Sequence, residues 1–439
     1  MYSRFFAASV LLTALSAAAA DPTPSPVPAS PTTSTATPAG NAPEQTPLAE
    51  PGHPTFSSVF ENLNIWGYGE IYYSRPSKDT GRTQADVRRA VFGLGYRFSP
   101  HVVFNSEWEV EHTIASAADV GEFEIEQFYV DFELHRYLTS SVGLFLMPFG
   151  FINEHHEPPQ FYGVQRNFVE TLIIPSTWRE GGVNLHGNFD NGIGYSLGLV
   201  TGNSFKDWQF NSDTVPYATA FDLEAAQPGP LQQSHQELSV ADASHFSGYL
   251  ALNYHGIPGV VVGGAVVYGN ASKVVLDPSI ANPGVPRVAL WEGHARWTPG
   301  RLDLSVLYTG AHISNTAAAN AANPDATNPI PASFWGFCAQ AAYTVWQDGI
   351  FRLTPFVRWE TYDLGSSYEG TAGPAIPQGQ VAVSDTPGDT ILWPANNDQV
   401  LTAGANFYVT PQVVLKADYQ WFANNTNFDR LDLGIGLAF

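Results

Sequence analysis

The chain has 439 residues and a formal net charge of −22, with 14% charged and 13% aromatic residues. That acidic excess excludes nucleic-acid binding, because phosphate recognition needs a basic footprint. The single cysteine, Cys338, excludes a disulfide framework within the chain.

Met1–Ala20 (MYSRFFAASVLLTALSAAAA) has one early basic residue, Arg4, then an apolar core and a small-residue end. It reads as a secretory signal peptide cleaved before Asp21, with a core too short to span a bilayer. Residues 21–55 form a Pro/Thr/Ser/Ala tract that cannot bury a core and reads as an extended linker. No later segment approaches the ~20 consecutive apolar residues of a spanning helix. An exported chain of this kind is either water-soluble or a β-barrel, since only helices and closed barrels satisfy the backbone in lipid.

From Leu63 onward the pattern alternates with period 2, as expected for strands with one apolar and one polar face. In residues 102–112, Val102, Phe104, Trp108 and Val110 point one way, while Asn105, Glu107, Glu109 and Glu111 point the other. Three carboxylates on one strand face need water, and in a membrane barrel that face is the lumen. Residues 122–134 alternate too, with a phase shift near Gln127 that predicts a bulge. Sixteen such segments follow one another through residues 63–439. Short turns rich in Pro, Gly, Asn and Asp (FSPH, FDNG, HGIP, TPGR, WQDG) alternate with long polar connections. The pattern predicts an all-β fold over residues 56–439: a transmembrane antiparallel β-barrel of about 16 strands, with long extracellular loops and short periplasmic turns. The even count places both termini on the periplasmic side.

The third long connection, residues 149–180, is dense in aromatic and branched apolar residues: Phe149, Phe151, Phe161, Tyr162, Phe168, Leu172, Ile173, Ile174 and Trp178. A connection far longer than the usual 2–6 residues, and this apolar, predicts a packed loop folded into the barrel mouth. The last strand, RLDLGIGLAF, directs Leu431, Leu433, Ile435, Leu437 and Phe439 to lipid and Asp432, Gly434, Gly436 and Ala438 inward. It resembles the terminal-strand signal that the bacterial barrel assembly machinery reads.

GLFLMPFGFINEHHEPPQFYG (143–163), VETLIIPSTWREGGVNLHG (169–187) and YSLGLVTG (195–202) resemble the porin family named for phosphate-selective porins O and P. The tandem Arg88–Arg89 before an apolar strand also fits. The resemblance implies a sixteen-stranded barrel, usually a homotrimer, whose third long loop folds inward. Members selective for phosphate resemble basic funnels. Here the inward-facing candidates are mainly acidic: Glu107, Glu109, Glu111, Glu124, Glu126, Asp131, Glu133, Glu292 and Glu360, against Arg89, Arg97, Arg296, Arg352, Arg358 and Lys416. Carboxylate rings favour cations and arginines favour anions, so a cation preference is expected.

The candidate constriction residues are Arg89, Arg97, Glu107, Glu109, Glu111, Glu154, His155, His156, Glu157, Arg166, Glu170, Arg179, Arg358 and Glu360. Glu154–Glu157 (EHHE) has residue types that suit a transition metal. Adjacent side chains point apart and Pro158-Pro159 stiffens the exit, so it is read as a polar pore segment without metal, its histidines suited to pH-sensitive conductance. Arg166, Glu170, Arg179 and Glu180 either line the constriction or pin the loop by salt bridges. Arg89 is expected in the lumen and Arg88 at the lipid interface, snorkelling. Cys338 is read as a small buried side chain.

No HExxH or GxGxxG motif is present, and no enzymatic activity and no cofactor are expected. The functional expectation is an outer-membrane porin passing ions and small hydrophilic solutes down their gradients. The alternative is a structural sleeve around a redox or cell-envelope partner.

Overall fold

A computed structural model describes residues 60–114, 121–211, 228–272, 284–375, 380–383 and 390–439. The expected signal peptide and linker lie outside the described residues. The barrel wall is built from β1 (Leu63–Pro76), β2 (Gln84–Ser99), β3 (Val102–Glu111), β4 (Glu122–His135), β5 (Leu138–Leu146), β6 (Arg179–Asn188), β7 (Ile193–Thr201) and β8 (Phe246–Tyr254). It continues through β9 (Val260–Asn270), β10 (Arg287–Trp297), β11 (Leu302–Ser314) and β12 (Pro331–Tyr343), which β13 (Trp346–Asp348) extends. β14 (Phe351–Tyr368), β17 (Asn397–Thr410), β18 (Val413–Phe422) and β19 (Arg430–Ala438) complete the wall. Each strand pairs antiparallel with its neighbours, and β1 pairs with β19, Tyr68 opposite Ala438 and Pro76 opposite Arg430. The result is a closed sixteen-stranded antiparallel barrel.

Closure is the physical point. A ladder with no edge leaves no strand with unpaired N–H and C=O groups facing lipid. The last residue takes part: Phe439 N–H donates to the Gly67 carbonyl at 2.8 Å, and Gly67 N–H returns a bond to the Phe439 carbonyl at 3.1 Å.

The two faces sort as the period-2 pattern requires. On β19, Leu431, Leu433, Ile435 and Leu437 are exposed on the outer surface, whereas Asp432 is fully buried. Ile65, Ile71, Phe92, Phe128, Leu199, Leu250, Val266, Val306, Leu415 and Trp421 continue the outer apolar band. At the short-turn end, aromatic residues form a belt: Phe189 stacks on Tyr195 at 5.4 Å, and Phe351 on Phe407 at 6.4 Å. Such rings, apolar in body, suit the headgroup level.

Departures from the expected strands have local causes. β14 runs six residues beyond the expected end, and β15 (Gln380–Val383) and β16 (Thr390–Trp393) form a separate hairpin in the following connection. In β4 the register shifts opposite Glu107 and Trp108, which pair with Gln127 and Ile125 and leave Glu126 as the extra residue of a bulge. A second shift lies in β2: Glu70 pairs with Arg89 and Ile71 with Val87, so Arg88 is the extra residue. This corrects the expected placement of Arg88 at the lipid interface. Released from the alternation, Arg88 lines a small polar cavity of about 60 Å³ with Arg89, Glu109, Glu111, Arg166 and Arg430.

A charge on the outer band should be costly. Leu433→Arg is expected to destabilise the barrel by about 2–4 kcal/mol if it sits near the bilayer midplane. Denaturant unfolding in lipid vesicles measures this; an unchanged midpoint would place that residue away from lipid.

Candidate pore constriction

Residues 147–178, between β5 and β6, cross the lumen. Phe149, Phe168, Leu172, Ile173, Ile174 and Trp178 are buried there, in one cluster with Tyr362 and Leu364 of β14, Val400 of β17 and Phe422 of β18. The Phe168 ring lies 5.3 Å from that of Phe422, and Phe149 lies 5.0 Å from Trp178. Each such side chain removed from water contributes roughly 1.5–3 kcal/mol.

Apart from one 3-10 turn (Pro158–Gln160) and one π-helical turn (Val169–Ile173), this segment is irregular, so its backbone polar groups need partners. The wall supplies them. Glu360 accepts from Phe168 N–H at 2.5 Å, Asp418 from Val164 N–H at 2.6 Å, and Asn406 from Gly163 N–H at 3.2 Å. Arg358 donates to the Tyr162 carbonyl at 3.1 Å, and Arg89 to the His156 carbonyl at 2.6 Å. Glycines provide seats. A side chain at Gly436 would stand 2.2 Å from the Pro158 ring, and one at Gly336 3.0 Å from Val169. The inward glycines of β19 are therefore spaces that the loop fills.

The sequence-predicted residues divide into three groups. One holds the loop to the wall or to itself. Arg358 pairs with Glu360 at 2.8 Å and Arg89 with Glu70 at 2.8 Å, all four on the lumen side of the wall. Glu170 accepts from the backbone of Phe151 and Ile152 and from Asn167, which fixes the loop's shape. Arg166 donates to Ser176 and Thr177 at 2.8 and 2.9 Å. His156 is buried, its Nδ1 bonded to the Asn153 carbonyl at 2.8 Å and its Nε2 to the Tyr68 hydroxyl at 2.5 Å. Burial, with the Arg89 charge beside it, holds that imidazole below its ordinary pKa.

A second group forms a buried acidic seam between β3 and β4. Glu107 accepts from Trp66 and Gln127, and Glu109 lies beside Glu126. Arg179 bridges Glu124 at 2.6 Å and Glu237 at 3.1 Å. Trp66 reaches Glu107 because it lies flat over Gly93, whose missing side chain leaves the room. Half-buried Glu111 lies at the edge of this seam, beside Arg88 in the small cavity. Half-buried Glu157 precedes the 3-10 turn.

The third group faces open space. Glu154 and His155 are exposed and line two cavities, of about 440 and 450 Å³. Asn188, Asn253 and His255 line both as well, so the two spaces meet at this collar. His294, Arg296 and Gln340 border the first; Asp131, His186 and Tyr195 border the second. Arg97 stands apart from these groups. It is exposed at the β2–β3 turn, 3.3 Å from Glu133 and bonded to the Pro100 carbonyl, at the short-turn rim.

Sequence reasoning missed Trp66, Tyr68, His186, His255 and His294. The parity of β1 joins Trp66 and Tyr68 to Glu70, and that of β10 joins His294 to Glu292, so the signal was present. His255 sits in a turn, where parity says nothing.

No known family profile matches the sequence. A protein of Aquifex aeolicus (strain VF5), described as uncharacterized, is 26% identical over 380 residues, 83% of this chain and 78% of that one. Among solved structures, OmpF of Salmonella typhi in complex with daunomycin has a TM-score of 0.52 at 12% identity, covering 86% of this chain and 98% of that chain. An anion-selective porin from Comamonas acidovorans has a TM-score of 0.49 at 11% identity, covering 86% and 99%. These likenesses are of fold. With the closed ladder, the likeness to OmpF shows a porin-type β-barrel fold. The narrower resemblance to the phosphate-selective O and P porins finds no match among them.

Filling a glycine seat should dislodge the loop. Gly436→Ala is expected to cost about 1–3 kcal/mol by overpacking against Pro158, and to raise single-channel conductance in planar bilayers. Gly293→Ala, with no atom nearer than 4.0 Å, serves as the control. Unchanged conductance in Gly436→Ala would mean that this contact does not hold the constriction.

Proposed function

We propose that this protein is a passive diffusion porin for ions and small hydrophilic solutes, limited by residues 147–178 and preferring cations. The observation that carries the reading is the collar at Glu154 and His155. It joins two water-accessible cavities whose polar walls come from β4–β8 and β10–β12. A barrel of sixteen strands leaves room for such an aqueous path.

The charge preference follows from what remains after pairing. Arg89, Arg97, Arg179, Arg296, Arg358 and Arg430 each lie within 4.0 Å of a carboxylate. Lys416 is buried under the Phe161 ring, its Nζ 3.5 Å from the centroid. Glu154 is exposed at the collar and makes no ion pair among the described residues. An unpaired carboxylate beside the path attracts cations more than the neutralised arginines attract anions.

The porin reading also includes a homotrimer, and recognition of the β19 strand by the barrel assembly machinery. A trimer band on unheated gels tests the first, and loss of assembly on deleting Phe439 tests the second. The sleeve reading has no support in the geometry. The loop itself fills much of the lumen, and cavities near 450 Å³ do not admit a folded partner.

Reversal potentials under a KCl gradient give the test. The wild-type channel is expected to favour K⁺. One charge about 6 Å from a permeating ion in a watery pore is worth about 0.7 kcal/mol. Glu154→Gln should therefore lower the K⁺/Cl⁻ permeability ratio about tenfold, roughly threefold from each ion. Anion selectivity in the wild type, or no change in the variant, would refute the preference.

A further inference from the structure

The acidic seam between β3 and β4 contains an unresolved electrostatic demand. Glu109, Glu124 and Glu126 each present an oxygen within 4.8 Å of those of the other two. Glu126 is fully buried and Glu109 is 2% exposed, yet Oε1 of each has no hydrogen-bond partner. Glu126 Oε2 is 2.8 Å from the Tyr68 hydroxyl, but Tyr68 has one proton for two acceptors, the other being His156 Nε2. The guanidinium groups nearby are committed elsewhere, and His156 Nε2, 3.7 Å from Glu126 Oε1, is already bonded to the Tyr68 hydroxyl. Arg179 is shared between Glu124 and Glu237, and Arg89 is held by Glu70 and the His156 carbonyl. Buried carboxylates this close need a positive species between them.

We propose that Glu109, Glu124 and Glu126 bind a hard divalent cation of the calcium class. Carboxylate oxygens are the ligands such an ion takes, at 2.3–2.6 Å, so opposed ligand atoms stand up to about 5 Å apart. The observed separations fall within that limit. A proton shared between Glu109 and Glu126, with Glu124 held by Arg179, is the competing occupant. Glu124 is 22% exposed, which leaves a side from which water completes the coordination. A second group, Glu107, Glu126 and His156, is also close. It is already closed, because both Glu107 oxygens accept from Trp66 and Gln127, and Tyr68 occupies His156 Nε2.

The site has a structural consequence. Glu126 is tied through Tyr68 to His156, and His156 belongs to the loop that crosses the lumen. An ion on Glu126 therefore stiffens the point where the loop's first half meets the wall.

The test uses the full chain folded in detergent, with Tb³⁺ as a luminescent probe displaced by Ca²⁺ and thermal unfolding as a second readout. Trp66, bonded to Glu107, is the antenna. One saturable site per chain is expected, with a Ca²⁺ Kd of about 10⁻⁴–10⁻³ M, and a Tm that falls with EDTA and recovers with Ca²⁺. Glu109→Gln should weaken Ca²⁺ binding by at least about tenfold, while Glu61→Gln, exposed and remote, leaves it unchanged. If Glu109→Gln fails to assemble, Glu124→Gln at its half-exposed position decides the matter by the same measure. Three results overturn the proposal: no saturable binding, binding that survives both substitutions, or a Tm indifferent to Ca²⁺ that rises when Glu109 is neutralised. The last would mean that the seam holds a proton instead.

Discussion

Closure of one hydrogen-bond ladder is the constraint from which the rest of this molecule follows. In lipid an unpaired backbone N–H or C=O costs several kcal/mol, so the sheet has to end on itself. The bonds between Gly67 and Phe439 belong to the seam where the sheet meets itself. Once the sheet is closed, side-chain parity is no longer a local matter. A strand out of phase places every charge on the lipid face, and each adjacent pairing then forbids the slip.

Closure also creates a difficulty that a soluble domain does not have. The apolar face is committed to lipid, so the hydrophobic interior usual in proteins has no place inside the wall. The third long connection answers this by bringing its own core. Phe149, Phe168, Leu172, Ile173 and Trp178 pack on one another and on a few inward apolar residues such as Tyr362 and Phe422. The polar remainder of the lumen then serves as a scaffold of donors and acceptors for an irregular backbone. Asp418, Asn406, Glu360 and Arg358 act on loop N–H and C=O groups much as neighbouring strands act on each other. The loop is thereby held by apolar packing towards its two ends and by polar wall groups at residues 156–168 between them.

Much of this was legible in the sequence, because period-2 alternation and the sorting of short and long connections are consequences of the closed ladder itself. Leu431 through Leu437 announce both faces of β19 without further information. The illegible parts are those where the period is broken. The bulge at Arg88 places two consecutive arginines on one side of the wall, and alternation alone assigns one of them to lipid. The bulge in β4 was visible as a phase shift, but not its effect of bringing Glu126 towards Glu109 and Glu124. Trp66 is a different case. A tryptophan in a strand of a membrane barrel suggests the interface, and only the empty space above Gly93 explains why it lies inward against Glu107. Charges posed the remaining problem, because a list of inward acids and bases does not say which will meet.

Where the charges go follows from their numbers. The chain carries 41 acidic and 19 basic residues, and the outer band accepts almost none of either. Pairing removes equal numbers of each sign, so the net surplus is acidic. The surplus has two physical outlets. At the collar, Glu154 is exposed and lines both open cavities. At the β3–β4 seam, Glu109 and Glu126 are cut off from water, and a charge there persists only with a bound positive partner. A buried group of carboxylates and a carboxylate beside the open cavities are thus two results of one composition, and they differ in whether water reaches them.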